Sequence, residues 1–166
     1  VKVCGLMGGH SGAEIDKNRA NANKLMGRFL YGLKKKADYA VISLAGGQKD
    51  NAITRQCITE FLTDAPEEVK AYAKELQEQI REEYTGSDEN ITIEVKENGV
   101  GTAQVLHPTS QEKIVFYLQN VPFGIQKMSG TIKGLVESSS NIGILRLDED
   151  ELFASSSVRS SVDAAC

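Results

Sequence analysis

The sequence has no tryptophan, three prolines, three cysteines and two histidines among 166 residues, and each scarcity excludes something. Cys4, Cys57 and Cys166 are isolated and odd in number, so no disulfide framework is encoded, and a reducing, cytoplasmic compartment suits them. His10 and His107 stand far apart, and neither a C-x-x-C nor an H-x-x-x-H spacing occurs. A structural zinc takes four protein ligands and a catalytic one three, so these residues predict no metal site on the chain itself. No apolar run approaches the ~20 residues of a membrane span, and there is no signal-peptide start. An excess of one charge is also missing. Nineteen basic against 23 acidic side chains leave a net charge of −4, which gives no electrostatic reason to expect nucleic acid as a partner.

What is present is globular: 40% of residues are apolar and 25% charged. A chain this long buries roughly 70% of its unfolded surface and forms one ordinary domain without staples. Val1-Lys2-Val3-Cys4 opens inside an apolar stretch, and Val162-Asp163-Ala164-Ala165-Cys166 stops as a new segment begins. These ends read as those of a domain, 1–166, cut from a longer protein.

Along the chain, Val1–Met7 reads as a short buried strand before the turn Gly8-Gly9-His10-Ser11-Gly12. From about Lys17 to Lys36, Ala22, Leu25, Met26, Phe29, Leu30 and Leu33 fall at helical period, with Asp16 as cap and Lys34-Lys35-Lys36 at the carbonyl end. Strands follow at Tyr39–Leu44 and Ile53–Leu62. Asp64-Ala65-Pro66-Glu67 has capping-box spacing before a helix presenting Val69, Tyr72, Leu76, Ile80 and Tyr84, which Gly86 stops. Ile91–Val95 alternates as a strand, and the glycine-bordered stretch 98–108 marks a meeting of two halves. A second capping box, Thr109-Ser110-Gln111-Glu112, precedes Ile114, Val115 and Leu118, and Pro122 closes that helix. Strands near Thr131–Glu137, Asn141–Leu147 and Leu152–Val158 finish the chain, with Asp148-Glu149-Asp150-Glu151 as a hairpin tip. The pattern predicts an α+β two-layer sandwich, a mainly antiparallel sheet with helices packed on one face.

The densest chemistry lies in the turn at Gly8–Gly12. Such turns let backbone N–H groups approach an anion, yet the spacing fits neither G-x-G-x-x-G nor a Walker motif. A nucleotide site and a tight turn with His10 as a surface side chain both remain open on the residues alone. His107, Cys4 and Cys57 read as structural, and the serine runs 138–140 and 155–157 as strand edges rather than nucleophiles.

Val3 to Asp16 followed by Arg19-Ala20-Asn21-Ala22, then Gly46 to Ile53, then Gly134–Glu137 through Asn141–Leu145 to Ser157–Ser161, closely resemble the aminoacyl-histidine dipeptidases in that order. The resemblance implies the lid, or dimerisation, domain of a zinc peptidase that cleaves short peptides such as Xaa-His dipeptides. It places two zinc ions and the general base in a separate catalytic domain, with no cofactor on this segment. By the resemblance, His10 stabilises the oxyanion, Arg159 holds the substrate's free carboxylate and Asn51 lies near the substrate. The implied partners are the dipeptide, the chain's own catalytic domain and a second copy in a homodimer. A purely structural dimerisation module is the rival. For Arg159 the plain alternative is a salt bridge to the Asp148–Glu151 turn, and for Asn51 a simple turn residue. The family tends to carry proline where this chain has Thr54, so the Asn51 loop is expected to sit differently.

Overall fold

The computed structural model describes residues 1–148 and 151–162. The centre of the expected hairpin tip, Glu149-Asp150, and residues 163–166 with Cys166 lie outside the described residues.

The long amphipathic segment forms a helix, α1 (Ala22–Leu33), shorter than its periodicity predicts. Asp16 is not its cap. It lies in a separate 3-10 turn, Ile15–Lys17, and Asn21 caps α1 by accepting from Asn23 N and Lys24 N. Leu25, Met26, Phe29, Leu30 and Leu33 point inward and are buried. α2 (Pro66–Glu83) buries Val69, Ala73, Leu76 and Ile80, and Phe29 meets Tyr72 with ring centroids 5.5 Å apart. The capping-box spacing at Asp64 does not act as a box: Ala65 is the cap residue without a side-chain bond, and its N–H donates to Thr63 Oγ1 at 3.2 Å. α3 (Pro108–Asn120) is capped two residues before Thr109, by His107 Nδ1, which accepts from Thr109 N at 3.3 Å. Gln111 instead reaches out to the strand that begins at Ala40, accepting from Val41 N at 2.8 Å and donating to Tyr39 O at 3.1 Å. At its other end α3 is closed by Lys24 Nζ, which donates to the carbonyls of Leu118, Gln119 and Val121. Burial there pushes the Lys24 ammonium below its usual pKa.

The strands are β1 (Lys2–Cys4), β2 (Gly9–His10), β3 (Ala40–Gly46), β4 (Ala52–Ile53), β5 (Cys57–Leu62), β6 (Thr92–Glu94), β7 (Gly124–Met128), β8 (Val136–Leu147) and β9 (Leu152–Ser160). The expected strand at 131–137 is mostly a turn; the strand before β8 lies earlier, at β7. Among the described residues seven strands form one antiparallel sheet in the order β6-β1-β5-β3-β8-β7, with β9 on the far edge of β8. Residues 1–95 trace strand–helix–strand–strand–helix–strand, a split β-α-β unit, and β8 extends its β3 edge. All three helices contribute to one core with Val3, Val41, Leu44, Cys57, Ile93, Ile142 and Leu145 of the sheet. Ile58, Arg146 and Phe153 stand exposed on strands of the same sheet. The fold is the α+β two-layer sandwich that the patterning predicts.

One stretch of β8 has strands on one side only. Along the edge opposite β9, β7 pairs with Val136–Ser140 and β3 with Leu145–Leu147, leaving Asn141–Ile144 between them. Side chains take the place of a strand there. Ile142 O accepts from Asn21 Nδ2 at 2.9 Å and Asn23 Nδ2 at 3.3 Å, and Thr54 Oγ1 lies 3.0 Å from Gly143 O. Asn141 accepts from Asn21 Nδ2 at 3.1 Å and donates to Asp50 O and Ala52 O at 3.0 and 2.9 Å. Gly143 is the extra residue of a bulge against β9, and a Cβ on it would stand 2.4 Å from Asp50 O. Glycine is what lets the 47–54 loop dock on the sheet.

Asn141→Ala orphans the Asp50 and Ala52 carbonyls and one amide proton of Asn21 at once. Denaturant unfolding should show a loss of about 1–3 kcal/mol, the scale of stranding buried polar groups. A second expectation concerns Tyr39, whose hydroxyl donates to Leu30 O at 2.8 Å and whose phenol is pushed by burial up to about 12. The phenol is neutral when protonated, so its contribution is whole below the unfolded value of 10.0 and is lost as pH rises to about 12. Melting temperature should fall across that window, and Tyr39→Phe should flatten part of the fall.

Candidate functional site

The glycine-rich turn begins a loop, residues 8–19, between β1 and α1. Its first arm is β2, which pairs antiparallel with β4, Gly9 opposite Ile53 and His10 opposite Ala52. The next amide, Ser11 N–H, donates to Asn51 O at 3.0 Å. This short ladder brings together His10 and Asn51, which the sequence holds 41 positions apart. Asn51 is exposed, and its loop is anchored from below by Asn141.

The His10 ring folds back over its own turn. Nδ1 accepts from the N–H groups of Gly12 and Ala13, each at 3.1 Å. A nitrogen that accepts two N–H bonds carries no proton of its own, so the neutral ring holds its proton on Nε2. The tautomer and the ring orientation are set by main chain, and Nε2–H is left as an exposed donor.

The same bonds answer the nucleotide alternative. An anion cradle needs unpaired N–H groups, but Gly12 and Ala13 serve His10, Ser11 serves Asn51, and His10 N–H donates to Glu14 Oε2 at 2.8 Å. α1 opens only at Ala22. The turn is folded around an imidazole, with no helix N-terminus behind it to receive a phosphate.

Arg159 arrives from the far end of the chain, on β9 opposite Ser139. A Cβ placed on Gly12 would come within 3.0 Å of Arg159 Nε and 3.2 Å of His10 Cε1. Guanidinium and imidazole therefore both lie against Gly12, and a side chain there would crowd both. Ser139 and Asn141 are two apart on β8, and their partners Arg159 and Ser157 two apart on β9, so all four project from the same sheet face. The Asn51 loop and Arg159 thus share one floor. Arg159 is exposed and makes no ion pair among the described residues; Asp148 pairs instead with Arg146, Nε to Oδ2 at 2.9 Å, at the other end of the hairpin. Among the described residues, the salt-bridge alternative for Arg159 is not seen: Asp148 and Glu151 lie at the far end of the β8–β9 hairpin from it.

Charge beneath the turn is balanced locally. Arg19 donates to Gly8 O at 2.5 Å and to Glu14 Oε1 at 2.8 Å. The His10 N–H bond, and then the Arg19 guanidinium, hold the Glu14 carboxyl below the usual carboxylate range. Thr54, at the proline position of the resemblance, is buried, and its hydroxyl accepts from Asn23 Nδ2 at 3.2 Å while facing the carbonyls of Ile142 and Gly143. Proline could make none of these bonds. His107 is a helix cap, Cys57 is buried with its thiol pushed up by desolvation, and Cys4 Sγ faces Glu94. Sequence reasoning passed over Asn21 and Asn141 as supports of the site. The signal for Asn21 was present, a capping residue directly ahead of the apolar period, but Asp16 competed for the same role.

No group of three or more His, Cys, Asp or Glu among the described residues could hold a metal ion. No helix among them is long and apolar enough to cross a membrane.

Comparison with known proteins agrees with this architecture. Over 162 residues the chain is 30% identical to the cytosol non-specific dipeptidase of Escherichia coli (strain K12), a match covering 96% of this chain and 33% of that protein. The crystal structure of aminoacylhistidine dipeptidase from Vibrio alginolyticus superposes with a TM-score of 0.93 at 30% identity, covering 99% of this chain and 34% of that one. The chain thus spans about a third of the length of these relatives, both named as dipeptidases. Residues 1–88 match the family described as the peptidase dimerisation domain. With more than half its length in that match and its whole fold in the superposition, the chain belongs to the peptidase dimerisation domain family.

Proposed function

We propose that this chain is the lid of a cytoplasmic dipeptidase, set over a catalytic domain elsewhere in the same protein, and that it supplies the oxyanion donor and the carboxylate clamp. The observation that carries the reading is the His10 ring. Two main-chain amides fix its proton on Nε2 before any substrate arrives. Such a donor suits a reaction in which water attacks a peptide carbonyl and negative charge gathers on its oxygen. A preorganised N–H gains strength as that charge develops, and it need not reorganise at the moment of reaction.

Arg159 completes the pattern. A planar guanidinium with no acid partner among the described residues matches a free carboxylate through two parallel bonds, and its charge does not titrate away. Its place against the same glycine as His10 fits a short substrate, whose terminal carboxylate lies only a residue from the scissile carbonyl. An Xaa-His dipeptide meets this description, and Asn51 lines the approach. The zinc ions that the resemblance implies are assigned to the catalytic domain, and the residues of this chain act on the substrate beside it. The domain count follows the same reading: one lid, 1–166, and a partner catalytic domain, with a homodimer as the assembly.

His10→Ala in the full-length peptidase should lower kcat by roughly 10²–10³ with KM little changed, as for other oxyanion donors. Circular dichroism of the altered chain should be unchanged, because the exposed ring supports little of the core. A fully active variant would leave this domain a structural role in dimerisation alone. Arg159→Ala should weaken capture of dipeptides by about 1.5–3 kcal/mol, the scale of a charge-assisted pair, and spare their C-terminal amides. Equal loss for acid and amide would make Arg159 structural.

A further inference from the structure

The loop that presents His10 runs from Met7, shortly after β1, to Ala20, shortly before α1, and both feet stand on one side chain. Asp88 is 2% exposed. Its Oδ1 accepts from Met7 N–H at 2.9 Å and its Oδ2 from Ala20 N–H at 3.2 Å. A buried carboxylate is costly unless its oxygens are bonded, and these two are bonded to the two ends of a single loop. Asp88 is itself fixed at the end of α2, where its own N–H and that of Ser87 donate to Tyr84 O at 2.9 and 3.0 Å. The tie therefore runs from the last turn of α2, through one carboxylate, to both feet of the His10 loop.

A second tie lies inside the first. Gly8 follows one foot and Arg19 precedes the other, and Arg19 donates to Gly8 O and to Glu14 Oε1. Glu14 Oε2 then accepts the N–H of His10 itself, and the His10 ring accepts from Gly12 and Ala13. Each bond begins on a residue that the preceding one has placed, and the sequence of bonds ends on the imidazole.

We propose that Asp88 is a positioning residue for His10, acting through the Arg19–Glu14 pair to hold the ring in its Nε2–H tautomer. The inference rests on the reading of His10 as an oxyanion donor but concerns a residue that touches no substrate. If one carboxylate oxygen becomes an NH₂ group, it faces a main-chain N–H, donor against donor, and one foot of the loop is released. The Gly12 and Ala13 amides then no longer converge on Nδ1, and the ring samples both tautomers. A displacement of about 1 Å at a reacting group is enough to cost up to 10² in rate.

The test has two parts. In the unaltered chain, the Met7 and Ala20 amides, both outside any helix or strand, should exchange with solvent as slowly as those of the sheet core. Exchange as fast as in the exposed stretch 98–101 would overturn the clamp without any variant. Ring ¹⁵N resonances of His10 should then show one protonated nitrogen, Nε2, in the unaltered chain and a shift toward mixed tautomers in Asp88→Asn. Ile80→Val, a mild destabilisation of α2 that touches neither foot, should leave the ring signature unmoved. Glu14→Gln cuts the inner tie from the exposed side and should shift the ring in the same direction, even if Asp88→Asn does not fold. An unmoved ring in the folded variants overturns the proposal. In the full-length peptidase, Asp88→Asn should lower kcat about tenfold per folded molecule with KM within twofold, and should add nothing to His10→Ala. Loss of rate in Asp88→Asn that persists undiminished in the His10→Ala background would show a merely structural role. Full activity of His10→Ala alone would sink the oxyanion reading instead, while the ring signature still decides on Asp88.

Discussion

Much of the site depends on four residues of β8 that no strand covers along one edge. A sheet edge inside a protein must have its carbonyls and amides bonded, and at Asn141–Ile144 that requirement is met by the side chains of Asn21, Asn23 and Thr54. Because those side chains belong to the start of α1 and to the loop after β3, bonding the sheet edge also determines where the helix begins and where the loop docks. Asn21 is at once the cap of α1 and a donor to Ile142. Asn141 is both part of β8 and the anchor of the Asn51 loop.

From that junction the site follows by short steps. The docked loop offers Ala52 and Ile53 as a two-residue strand, β2 pairs with it, and the His10 turn is aligned. β9 runs along the opposite edge of β8 and delivers Arg159 to the same sheet face. Chemistry-bearing groups from positions 10, 51 and 159 thus converge on rigid sheet and loop rather than on flexible connections. Preorganisation of this kind is what lets a hydrogen-bond donor favour a transition state over a ground state.

The electrostatic design is local. Glu14 and Arg19 neutralise each other under the turn, and Arg159 is left without an acid partner among the described residues. That unpaired guanidinium lies against Gly12 beside the His10 ring. The nucleotide alternative fails for the complementary reason: the amides that would have bound a phosphate are already bonded to imidazole, carbonyl and carboxylate.

The sandwich was legible in the sequence because it rests on periodicity. The stripes of α1 and α2 and the alternation of β6 are one-dimensional signals, and burial followed them. Helix starts were less legible. Asp16, Asp64 and Thr109 all had capping chemistry, but whether a side chain caps depends on the backbone angle that packing imposes, and Asn21, Ala65 and His107 took the positions. The strand before β8 was misplaced because residues 131–135 carry apolar side chains on what proved to be a turn. For the site, the sequence by itself singled out His10, Asn51 and Arg159 through motif resemblance. It carried no information on the distance between them, nor on Asp88, which sits beside Glu89 in a polar loop with nothing local to set it apart. Those were decided by tertiary structure alone, since a hydrogen bond between residues 68 or 91 positions apart leaves no trace in local composition.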